Sequence, residues 1–162
     1  MKPDQSAEAL DRLYTEYAAG LLGFLTYQTG DRSLAEDIVA DTFERVLRSR
    51  SRWRGHASAK TWLYAIAMNR VRELARRRGA ESRALEHVSG DSTPVDDVAA
   101  VGDRDLLQRG LDTLSAEDRT IIALRYGADL SLREIAEALG ERQSAVEARL
   151  YRALRRLRDA AT

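Results

Sequence analysis

Apolar residues spaced by three and four run through almost every periodic segment of the chain, and this spacing constrains the fold more than any other feature. Leu10, Leu13, Tyr14 and Tyr17 share one face of a helix on this pattern. Strand-like alternation bounded by turn residues is absent, so the expected fold is all-α. At 162 residues the chain makes one domain or two small ones, and neither buries a large core. The stretch from Gly79 to about Gly102 mixes Ser, Gly, Pro94 and charged residues with weak periodicity, which reads as a flexible acidic linker. The expected organisation is two small helical domains, over residues 1–78 and 103–162, joined by the linker 79–102.

Composition narrows the chemistry. There is no cysteine, and His56 and His87 lie far apart, so neither a disulfide nor a metal centre is expected. A small hydrolase built on His56 lacks a nucleophile motif. The opening residues show no basic-then-apolar signal pattern, and no apolar run reaches membrane-spanning length. The expectation is a soluble, cytoplasmic, non-enzymatic protein with no membrane insertion.

Local signals place the helices. Ser33 to Glu36 reads as a capping box opening a helix through Ile38, Val39, Phe43, Val46 and Leu47 to about Arg48. Asp37, Asp41 and Glu44 fall away from that apolar face and make an acidic outer surface. A basic loop, rich in Arg, Ser and Gly, follows between Arg48 and Ser58. A long helix then runs from about Ser58 to Arg78, with Leu63, Ile66, Ala67, Val71 and Leu74 towards the core. Trp62, Ala65, Asn69, Arg72 and Arg76 share a different, outward stripe. Arg70 falls inside the apolar arc, so its stem should lie along the core while the guanidinium finds a carboxylate or solvent. Beyond the linker, helices are expected at about Asp103 to Leu114 and from Ser115. Ser131 to Glu134 reads as a capping box, Gly140 as a turn, and Ser144 to Glu147 as a second box opening a longer basic helix. A short helix, a glycine turn and a basic helix make a helix-turn-helix, with Ile135, Leu139, Val146 and Leu150 filling the space between its two helices.

The net charge is zero, but its distribution is not uniform. Residues 1–48 carry 5 basic and 9 acidic side chains, and residues 49–79 carry 9 and 1. Residues 80–118 carry 3 and 10, and residues 119–162 carry 9 and 6. A block as basic as 49–79 suits a polyanion, because each guanidinium placed on a phosphate releases counterions. Arg52, Arg54, Lys60, Arg72 and Arg76 are candidates to hold phosphates of separated strands, while Trp53, His56 and Trp62 are candidates to stack on bases. For Trp62 a core position fits equally well. On the last helix Glu147, Ala148, Arg149, Arg152 and Arg156, preceded by Arg142 and Gln143, form the expected surface for a major groove.

Together these residues resemble the extracytoplasmic-function (ECF) sigma factors, which retain only the second and fourth conserved sigma domains. The segment LAEDIVADTFERVL resembles the family's helix that grips the beta-prime clamp of RNA polymerase, which gives Asp37, Asp41, Glu44 and Arg48 a partner. WRGHASAKTWLYAIAMNRVRELARRR resembles the segment that melts and reads the minus-ten element. That resemblance adds Ser58 and Asn69 to Arg52, Trp53, Arg54, His56, Lys60, Trp62, Arg72 and Arg76. LSLREIAEALGERQSAVEARLYRALRRL resembles the helix-turn-helix for the minus-thirty-five element, implying roles for Arg142, Gln143, Ser144, Glu147, Arg149, Arg152 and Arg156. The implied partners are core RNA polymerase, through its beta-prime clamp and beta flap, promoter DNA in duplex and single-stranded form, and an anti-sigma factor. No cofactor is implied.

Departures from the family pattern are informative. Ala40 stands where glutamine is frequent, and Ala59 where an aromatic is common. The recognition helix usually reads Gly-Thr-Val-Lys/Arg-Ser-Arg-Leu, whereas here a carboxylate, Glu147, replaces the cation. Glu147 either completes a capping box or accepts a hydrogen bond from cytosine N4, and the cap is the favoured reading. The alternative for the whole chain is a helix-turn-helix regulator that binds duplex DNA without polymerase.

Overall fold

A computed structural model describes residues 3–49, 58–82 and 101–161. Every regular element among them is helical: α1 (Pro3–Thr29), α2 (Arg32–Ser49), α3 (Ala59–Ser82), α4 (Val101–Asp112), α5 (Ala116–Ile122), α6 (Leu132–Leu139) and α7 (Gln143–Ala161). The chain divides into two compact units, Met1–Thr93 and Pro94–Thr162.

In the first unit α1, α2 and α3 pack on one another. Leu21, Phe24 and Leu25 of α1 meet Ile38, Val39, Phe43 and Val46 of α2 and Leu63, Tyr64, Ala67 and Met68 of α3, all of them buried. The expected core of α3 is partly rearranged. Tyr64 and Met68 are buried, whereas Ile66, Val71 and Leu74 are half-buried. Thr42 is tolerated inside because its hydroxyl donates to the Ile38 carbonyl at 2.7 Å.

The α1–α2 turn corrects one expectation. Gly30 adopts the left-handed conformation (φ 67°) and its N–H closes on the Thr26 carbonyl at 2.8 Å. Asp31 then caps α2, its Oδ1 accepting from the Leu34 N–H at 3.2 Å. The helix therefore starts two residues before the position a Ser33–Glu36 box requires, and Glu36 pairs with Arg32 instead.

An ion-pair cluster ties α2 to α3. Asp41 Oδ2 lies 3.2 Å from Arg45 Nε and 3.1 Å from Arg70 Nε. Glu73 Oε2 lies 3.4 Å from Arg45 Nη2 and 3.1 Å from Arg70 Nη1. The two carboxylates and two guanidiniums thus alternate around one cluster, and Arg70 finds the carboxylate partner its place in the apolar arc calls for. Hydrogen bonds from Arg45, then Arg70, hold the Glu73 carboxyl below the usual carboxylate range. A lowered folded-state value means that this contribution is present at neutral pH and is lost as acid protonates Glu73.

In the second unit α4, α5 and α6 all pack on α7. Ser115 caps α5, its hydroxyl oxygen accepting from the Asp118 N–H at 3.2 Å. A five-residue π turn, Ala123–Gly127, then widens the helix end, and Asp129 takes a left-handed conformation (φ 56°). This reversal buries both Leu124 and Leu130 completely. The Ser131–Glu134 capping box forms as expected, with reciprocal bonds of 3.1 and 3.0 Å. α6 closes on Gly140 (φ 65°): the Glu141 N–H reaches the Ala136 carbonyl at 3.0 Å and the Gly140 N–H the Glu137 carbonyl at 3.3 Å.

Two outcomes test this architecture. A Cβ at Gly140 would meet nothing within 4 Å, so its cost is conformational alone. Gly140→Ala should lower stability by about 1 kcal/mol in urea denaturation, with Gly140→Asn costing less. Burial pushes the Tyr64 phenol up to about 12 from 10. Because the neutral form is favoured in the folded state, this stability is complete below pH 10 and lost as pH rises towards 12. Tyr64→Phe should remove that part of the alkaline destabilisation, as read by melts at pH 9 to 12 against wild type.

Candidate nucleic-acid interface

In the second unit the helix-turn-helix is formed by α6 and α7. Ile135, small Ala136, Leu139, Val146 and Leu150 are all buried. The Arg142 carbonyl accepts from both the Ala145 and the Val146 N–H at 3.1 Å, so α7 begins at Gln143. The expected Ser144–Glu147 capping box does not form. Ser144 already lies inside the first turn, and Glu147 is too far along the helix to reach an orphan N–H.

The solvent side of α7 differs in detail from the expected surface. Arg142, Gln143, Ser144, Glu147, Ala148, Arg152 and Arg156 are exposed. Arg149 is not part of that open face. Its Nη1 lies 3.1 Å from both carboxylate oxygens of Glu141 and 3.6 Å from Glu117, and its side chain is 31 % exposed. At 100° per residue Arg149 sits on the flank facing the turn, where two carboxylates draw it in. Tyr151, 63 % exposed, and Arg155 occupy the centre of the outward stripe instead. The 100° step that defines the Trp62 stripe on α3 places both on the outward side of α7.

In the first unit Arg52, Trp53, Arg54 and His56 lie outside the described residues. Ser58 caps α3: its hydroxyl oxygen accepts from the Thr61 N–H at 3.1 Å, and its carbonyl from the Trp62 N–H at 3.0 Å. Along the stripe Asn69 and Arg76 are exposed, while Lys60, Trp62 and Arg72 are half-buried. Trp62 therefore has one side against protein and one towards solvent. Arg77 and Arg78 extend the exposed basic end of α3.

The acidic surface of α2 is smaller than expected. Asp37 and Glu44 are exposed, and Glu44 pairs with Arg48 on its own helix. Asp41 belongs to the ion-pair cluster with Arg45 and Arg70, and its Oδ2 is buried. A turn beyond Asp37, it is rotated by about 40° towards α3, within reach of Arg70. Beside this surface runs an open groove of about 490 Å³, lined by Tyr14, Ala18, Ala19 and Leu22 of α1 and Val39 and Ala40 of α2. Among the described residues no cluster of His, Asp and Glu is arranged to hold a metal ion, and no helix is long and apolar enough to cross a membrane.

Comparison with known proteins matches both units. Residues 13–81 match the model for Sigma-70 region 2, and residues 110–159 that for Sigma-70, region 4. The ECF RNA polymerase sigma factor SigL of Mycobacterium tuberculosis is 33 % identical over 156 residues, covering 94 % of this chain and 88 % of SigL. RNA polymerase sigma factor YlaC of Bacillus subtilis is 29 % identical over 153 residues, covering 90 % and 88 %. Among solved structures, the sigma factor RpoE in complex with the anti-sigma factor NepR from Bartonella quintana shares the fold. Its TM-score is 0.80 at 22 % identity, covering 94 % of this chain and 96 % of that one. A two-unit helical chain with a helix-turn-helix in its second unit, matched along nearly its whole length in this way, belongs to the ECF RNA polymerase sigma factors.

Proposed function

We infer that this chain binds core RNA polymerase and directs promoter-specific transcription initiation, with separate surfaces for enzyme and DNA. The observation that carries this reading is the order of the two matched regions, region 2 before region 4, each folded as its own helical unit. Residues 1–78 act as sigma domain two, 103–162 as sigma domain four, and 79–102 as the linker between them. Polymerase performs the chemistry in the cytoplasm, and this chain selects the start.

The enzyme surface centres on Asp37 and Glu44 of α2, with Arg48 beside them and the α1–α2 groove alongside. Exposed carboxylates next to an apolar groove suit a basic, partly apolar helix of the beta-prime clamp. Asp41 supports this surface by fixing α2 against α3. The minus-ten surface comprises Lys60, Trp62, Asn69, Arg72 and Arg76, together with Arg52, Trp53, Arg54 and His56. Strand opening loses stacking of about 1.4 kcal/mol per step, which aromatic contacts replace. Ser58 positions the start of α3 rather than a base. For the minus-thirty-five element, α7 lies in the major groove, with Arg142, Gln143 and Ser144 at its leading end and Arg152 and Arg156 on phosphates or guanines. Arg149 braces the turn from within. The fold shared with RpoE bound to NepR supports regulation by an anti-sigma protein.

Run-off transcription with core enzyme and a randomised promoter library tests the reading directly, and initiation at no member would overturn it. Capture of core polymerase by the chain should fall at least tenfold on Asp37→Arg with Glu44→Arg, while helical circular dichroism is unchanged because both residues are exposed. Undiminished capture would move the enzyme surface elsewhere, and failure of wild type to capture core would favour a regulator acting on duplex DNA alone. Arg152→Ala and Arg156→Ala should each weaken promoter binding and lower the slope of log K against log salt by about one.

A further inference from the structure

Glu147 is an anomaly on the surface that meets DNA. A carboxylate facing phosphates is repelled, so some compensating interaction is expected to hold it there, and the structure removes the intramolecular candidates in turn. Because α7 begins at Gln143, the side chain lies beyond the first turn and caps nothing. No cation stands three or four residues away on its helix: those positions hold Gln143, Ser144, Leu150 and Tyr151. Neighbouring carboxylates all have partners, Glu134 in the Ser131 cap, Glu137 with Arg133 and Glu141 with Arg149. Glu147 is exposed and makes no side-chain hydrogen bond or ion pair among the described residues.

Its position points outward. Glu147 shares the exposed stripe with Ser144 and Tyr151, one helical turn to either side, in the leading half of α7. Exposed guanidiniums lie five residues before and after it, at Arg142 and Arg152, about 140° around the helix from the carboxylate, so they can hold phosphates on one flank while Glu147 is left towards the bases on the other. An ionised carboxylate only accepts hydrogen bonds. Two amino groups on the major-groove floor donate, cytosine N4 and adenine N6; adenine N6 stands beside the N7 acceptor, which repels a carboxylate, so cytosine is the better partner for Glu.

We infer that Glu147 is a specificity-determining residue that reads one cytosine of the minus-thirty-five element through its N4 amino group. This rests on the sigma reading above. The complete holoenzyme, selecting from promoters randomised across the upstream element, should enrich a C·G pair at one position. Glu147→Ala should reduce that preference about tenfold and leave the other positions unchanged, and Glu147→Gln should shift it towards adenine, which amide side chains read. Wild-type selection without a cytosine, or an identical selected sequence for Glu147→Ala, would overturn the inference while leaving the sigma reading intact. A wild-type holoenzyme that initiates at no library member would instead overturn both.

Discussion

A half-buried guanidinium shared between two carboxylates braces each unit of this chain, and the rest of the surface is defined by what those braces leave free. In the first unit Arg70 bridges Asp41 of α2 and Glu73 of its own helix. In the second, Arg149 bridges Glu141 in the turn and Glu117 at the start of α5. Units this small bury little apolar surface, so polar links between helices matter more than they would in a large domain. Exposed pairs are worth about 0–1 kcal/mol, and breaking a fully buried pair costs about 3–5 kcal/mol. Side chains that are 24–36 % exposed, as in these two clusters apart from the more exposed Glu117, fall between those limits. Arginine suits the task because its planar fork can face two carboxylates at once.

This explains where the reading of charge from sequence succeeded and where it failed. Block counts identified a basic region and an acidic helix, but they cannot tell a guanidinium that braces helices from one that faces solvent. Asp41 and Arg149 carry the same formal charge as their neighbours Asp37 and Arg152. Each lies on a helix flank from which an opposite charge on another element is within about 4 Å, and that neighbour is invisible until the helices are packed. Arg70 was legible because a cation inside an apolar arc needs a partner, and only the identity of the partner required the fold.

Helix starts show a related limit. Three Ser-x-x-Glu patterns occur, at Ser33, Ser131 and Ser144, and only the middle one forms a capping box. In the other two a left-handed glycine, Gly30 or Gly140, reverses the chain just upstream, and the helix begins as soon as the reversal is complete. Asp31 and Arg142 thereby take the capping position, and the Ser-x-x-Glu pattern falls within the helix. Turn geometry outranks the capping signature because the backbone must already be extended at the cap. On α3, by contrast, the period identifies the buried arc, but hydrophobicity alone misorders its members. Tyr64 lies on the buried arc and Ile66 at its edge, so face mattered more than residue hydrophobicity. The π turn over Ala123–Gly127 left no mark in composition, since its residues serve an α-helix equally well.

The same internal pairing governs the field that DNA would meet. Residues 119–162 carry only three more basic than acidic side chains, which looks too weak for a polyanion surface. Four of the six acids lie before α7 and have partners there, however: Asp129 with Arg125, Glu134 in the cap, Glu137 with Arg133 and Glu141 with Arg149. Arg142 just before α7, and Arg152, Arg155, Arg156 and Arg158 on it, remain exposed without an ion pair among the described residues. The face is therefore far more positive than its block, and long-range attraction follows the face. Against that background a single carboxylate is tolerable only where it gains more from a specific donor than it loses to the phosphates. Glu147 can meet that condition because the guanidiniums around it keep the surrounding potential positive.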